Sequence, residues 1–151
     1  MESNELLKVL GDAIGVELAF DDDGIAAFSA DGMALTLRDL PEIGAIALEG
    51  DLGVPQPGDL AVLYKLMLES QHRFRDTVGA TISLDPETEH FMLCRVLVTR
   101  LFDTTSFVDV VGGFLNTQET WTRIVRDYRG GETISAPTPK EIPFSSSFVK
   151  V

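Results

Sequence analysis

The residues best able to do chemistry are few: an acidic run, Asp21-Asp22-Asp23-Gly24, two histidines, His72 and His90, and one cysteine, Cys94. A calcium loop opening at Asp21 requires an acid at its fifth position, glycine at its sixth and glutamate at its twelfth. Ile25, Ala26 and Gly32 stand there, so the run reads as a turn. Neither histidine stands at ligand spacing from further histidines, cysteines or carboxylates, and a zinc site needs three or four such groups. Cys94 lies within an apolar stretch, where a free thiol behaves as a small hydrophobe, and nothing local could activate it. There is no glycine loop to cradle phosphate and no G-x-S-x-G turn. The residues therefore predict no catalytic group, no metal site and no cofactor. An enzyme would need distant side chains to converge in space.

Charge points the same way. The chain has 151 residues, with 24 acids against 12 bases and a net charge of -12. Such a surface repels phosphate backbones and anionic lipid, which makes nucleic acid and membrane poor candidates as partners, and it steers basic ones inward. No apolar run reaches the roughly 18 residues of a membrane span. Lys8, Asp12 and Glu17 break up any apolar signal region. A single cysteine forms no internal disulfide and suits a reducing cytoplasm.

The elements that would position a site follow from periodicity. Leu6, Leu7, Leu10 and Ile14 recur at helical spacing behind a cap at Ser3 or Asn4, and Gly15 stops the helix. Turn signals at Asp21–Gly24 and Ala30–Gly32 bracket a strand from Ile25. Met33, Leu35 and Leu37 alternate along the next, and a third starts at Ile43. Asp51–Asp59 is a proline- and glycine-broken loop. A helix from about Asp59 to Arg75, a hairpin around Asp85-Pro86-Glu87-Thr88-Glu89 and a long helix from about Thr105 to Tyr128 complete the pattern. The order α-β-β-β-α-β-β-α predicts a single α+β domain, a twisted antiparallel sheet flanked by helices. It covers residues 1–128. Residues 129–151, rich in Gly, Pro and Ser, form a C-terminal tail.

The second helix has an apolar arc too wide for one sheet to cover. Leu60, Leu63, Tyr64 and Met67 share a face, Val62 and Leu66 extend it, and Leu68 widens the other flank. This predicts a homodimer through the helix, with Val62, Leu66 and Met67 at the interface.

Four stretches taken in order resemble a known family: "LLKVLGDAIG", "AFDDDGIAAFSADGMALTL", "VGATISLDPETEHFMLCRVL" and "LFDTTSFVDVVGGFLNTQETW". They are similar to the type III secretion chaperones of the Tir-chaperone kind. The resemblance spans roughly Leu6 to Tyr128. It implies a cytoplasmic bacterial homodimer that binds an extended segment near the N-terminus of an effector protein, without ATP and without catalysis. Strand addition to a sheet edge supplies the physics. Ile25, Ala27 and Phe28 are the expected client contacts, with Leu6 and Leu10 lining a nearby pocket. The alternative makes these residues ordinary core, Leu6 and Leu10 above all.

A regulatory α+β domain that senses a small molecule is the competing reading, though no convergent polar groups mark its pocket. The tail carries a reading of its own. Ile142, Phe144 and Phe148 fall at even spacing, as on one face of an extended strand. It is either a disordered tail or a strand that covers a free edge in the client groove.

Overall fold

The computed structural model describes residues 1–131, 137 and 148–150. The elements are α1 (Ser3–Ile14), β1 (Ile25–Ala30), β2 (Met33–Leu40), β3 (Ala45–Gly53), α2 (Ala61–Gln71), β4 (Thr81–Leu84), β5 (Phe91–Val98), α3 (Thr104–Asp127) and β6 (Phe148–Lys150). Helix α1 starts one residue earlier than its sequence suggests. Glu2 takes the capping position, its amide donating to the Glu5 carboxylate at 3.0 Å. Gly15 ends the helix in the left-handed region at φ 73°, where a Cβ would be strained. Asp103 caps α3: the Ser106 amide donates to Asp103 Oδ1 at 2.8 Å, and the Asp103 amide donates to Ser106 Oγ at 3.0 Å. Ser106 thereby holds the Asp103 carboxyl below its usual range. Helix α2 is shorter than expected. It ends at Gln71 because Arg73 and Phe74 turn left-handed, at φ 56° and 54°.

The strands lie in the order β4-β5-β3-β2-β1-β6, all antiparallel. Register decides which side chains share a face. Phe28, Leu35, Gly50, Leu93 and Ile82 stand opposite one another across five strands, and every one is buried. The helices cover that face, in one core that joins Leu6, Leu10, Leu63, Phe107 and Trp121 to the sheet. The neighbouring row, Ala27, Thr36, Glu49, Cys94 and Thr81, points the other way and is half-buried or exposed. The architecture is the α+β domain that the element order predicts, with the helices flanking the sheet on one side.

Helix α3 seats on β3 through a glycine. A Cβ at Gly50 would lie 2.6 Å from Gln118 Cδ. Gln118 is fully buried and donates Nε2 to the carbonyls of Ala34 at 2.9 Å and Asp51 at 3.3 Å, so its amide is not free to swing aside. Gly50→Ala is therefore expected to cost about 1–3 kcal/mol, as overpacking in a tight core does. Urea denaturation reads the effect, and an unchanged midpoint would show that α3 can slide off β3 without loss.

Candidate protein interface

The acidic turn sets the start of β1. Asp21 Oδ1 accepts from the amides of Asp23 at 2.9 Å and Ile25 at 2.8 Å, and the Asp21 amide donates to the Ile25 carbonyl at 2.9 Å. Among the described residues no three acids, histidines or cysteines group to hold a metal. On the opposite side, the Asp39 amide donates to the Gly24 carbonyl at 2.8 Å, which starts the β1–β2 ladder. Ile25 thus turns its amide and carbonyl away from β2, and alternation along the strand sends those of Ala27 and Ser29 to the same outer edge. Ser29 has Val149 of β6 opposite. Ala27 has no strand opposite on that side among the described residues.

The five residues expected to meet a client divide into two groups. Ile25 and Ala27 are half-buried on the open face of the sheet. Phe28, Leu6 and Leu10 are fully buried in the core beneath it. Period-2 alternation requires this split of Phe28 from Ala27. The cleft beside α1 has a volume of about 590 Å³ and is lined by Asn4, Leu7, Lys8, Gly11 and Val16, without Leu6 or Leu10.

The second helix divides likewise. Leu66 and Met67, 6% and 3% exposed, pack into the subunit's own core with Leu63. What α2 turns outward is Val62 on one flank and Tyr64 and Leu68 on the other, with Leu68 71% exposed. The Lys65–Glu69 pair at 3.7 Å lies between the flanks. Beyond the helix, Phe74 and Val78 are also exposed, and both hold left-handed backbone at φ 54° and 51°. A β-branched residue in that region is strained, and no glycine or asparagine in the sequence announces it.

The groups that could do chemistry stay apart. His90 Nδ1 lies 2.8 Å from Asp51 Oδ2 and ties the start of β5 to the end of β3. His72 is exposed at the end of α2. Burial, with the Glu49 carboxylate second, pushes the Cys94 thiol up, which disfavours the thiolate a nucleophile needs. What the surface offers instead is an outward-facing edge on β1, an open sheet face and, beside β4 toward the other end of the sheet, exposed apolar side chains around α2.

The family model of the Tir chaperone protein (CesT) family matches residues 5–122. The chain belongs to that family. No curated protein matches it by sequence. Among solved structures, a chain of the ExsC–ExsE complex superposes with a TM-score of 0.71 at 21% identity, covering 85% of this chain and 100% of the other. A chain of the HopA1–SchA chaperone–effector complex follows at 0.65 and 18%, covering 79% and 91%. A chain of the ExoU–SpcU heterodimeric complex from the type III secretion system of Pseudomonas aeruginosa gives 0.59 and 20%, covering 82% and 94%. At these identities the likeness is one of fold.

Proposed function

We propose that the protein is a type III secretion chaperone of the bacterial cytoplasm. It binds an extended N-terminal segment of an effector and keeps it competent for secretion, with no catalytic step and no ATP. The observation that carries this reading is the outer edge of β1, where Ala27 presents amide and carbonyl beside a turn that Asp21 has closed. An extended chain laid there gains main-chain hydrogen bonds, and alternate side chains reach the open face. Family membership and the likeness to chains from chaperone–effector complexes support the same reading. The test is co-expression with N-terminal segments of the effectors encoded in the same genome. A soluble complex on gel filtration is expected for at least one segment, and its failure for all of them would contradict the reading.

The working unit is a homodimer, supported by the apolar flanks of α2. A partner helix that straddles the Lys65–Glu69 pair would cover Val62, Tyr64 and Leu68. Val62→Asp with Leu68→Asp should leave the subunit folded, because both side chains lie outside its core. Two carboxylates buried without partners should weaken the dimer by more than about a hundredfold. Light scattering at micromolar concentration reads the mass. A variant that remains as dimeric as the parent would remove α2 from the interface.

A further inference from the structure

We propose that β6 is a built-in occupant of the β1 edge, and that a client segment binds by displacing it. The proposal rests on the chaperone reading of that edge. Strand β6 runs antiparallel to β1 with Ala30 opposite Phe148, Ser29 opposite Val149 and Phe28 opposite Lys150. Ser29 is a residue whose amide and carbonyl face outward, so among the described residues of β6 Val149 is the position that exchanges hydrogen bonds with β1. Residues 142 and 144, which share the even spacing of Phe148, lie outside the described residues.

Among the described residues β6 spans Phe28–Ala30 of β1. An incoming strand can replace β6 residue by residue, so the exchange never has to empty the whole edge at once. The three described residue pairs by themselves hold a strand weakly, since a short strand is marginal in water. The covalent tether raises its effective concentration, to about the millimolar range for a flexible connection. A longer client strand that also fills the open face outcompetes such an occupant, whereas a chance peptide does not. Between clients, the edge is shielded from pairing with other chains.

The test uses the full chain with Val149→Pro, which removes the amide that faces Ser29, and with Val149→Ala, which keeps it. The probe is a fluorescein-labelled peptide with the sequence of residues 141–151, followed by anisotropy. An edge occupied nine-tenths of the time weakens apparent affinity about tenfold, so Val149→Pro should bind the peptide about tenfold more tightly than the parent. Val149→Ala should match the parent. Amide exchange at Ser29 should accelerate in Val149→Pro alone. Equal peptide affinity and equal exchange in all three proteins would overturn the proposal. So would an effector segment that binds parent and Val149→Pro with the same affinity, because β6 would then be no competitor. If peptide and exchange behave as expected while no effector segment binds any form, occupancy of the edge stands and the chaperone reading falls.

Discussion

Trp121→Ala is expected to destabilise the domain by about 3–5 kcal/mol, the range for truncating a fully buried aromatic side chain. Trp121 is completely buried in α3, and its indole Nε1 donates to the Asp76 carbonyl at 3.0 Å. Asp76 belongs to the connection after α2, where Arg73, Phe74 and Val78 are held left-handed. The indole therefore fills the core and also pins a strained segment from beneath. Such strain persists only where surrounding contacts hold it. Against a total stability of about 5–15 kcal/mol, the loss leaves the variant close to unfolding at body temperature. Trp121→Phe separates the two roles, since it keeps most of the buried ring and orphans the Asp76 carbonyl, at about 1–3 kcal/mol. Urea denaturation measures both. A loss below about 1 kcal/mol for the alanine variant would mean that the core closes over the gap and that the segment needs no anchor.

Ala27→Pro should leave the domain folded and weaken effector binding at least about tenfold. The Ala27 amide faces away from β2, so proline there spares the β1–β2 ladder, whose hydrogen bonds pass through Ala26 and Phe28. At the outer edge it removes a donor and sets a ring where a client backbone must lie. Leaving one buried acceptor unpaired costs about 1–3 kcal/mol, and each 1.4 kcal/mol is tenfold in affinity. The same substitution at Ala26 faces β2 and should unfold the hairpin, which makes it a control for misfolding. If Ala27→Pro has a parental melting curve and parental affinity, the client does not use this edge.

Much of this architecture is legible in the sequence because period and punctuation agree. Alternation along Leu35 and Leu37, the turn at Asp85–Glu89 and the stripe Phe107, Val111, Phe114 and Trp121 each identify an element and its buried side. The wide arc of α2 is legible too, but its direction is not. A projection shows which residues share a flank, while the sheet's position decides that Leu66 and Met67 face inward and Leu68 outward. The expected client set joined Phe28 to Ala27, although a strand must part them. The left-handed run after α2 has no local signal, since Arg73, Phe74 and Val78 are held there by Trp121 and by Arg95, whose guanidinium donates to the Val78 carbonyl at 2.9 Å. Pairing of β6 with β1 is a long-range contact that even spacing suggests and cannot place.

Hydrogen exchange across β1 in a purified complex with an effector's N-terminal segment reads out whether the client lies along this edge. Slower exchange is expected at Ala27 and Ser29, the residues whose amides face outward, together with protection of a continuous stretch of the effector segment that exchanges freely alone. A stable complex in which β1 exchanges as it does in the unbound protein, and protection falls on a folded effector domain, would contradict that placement.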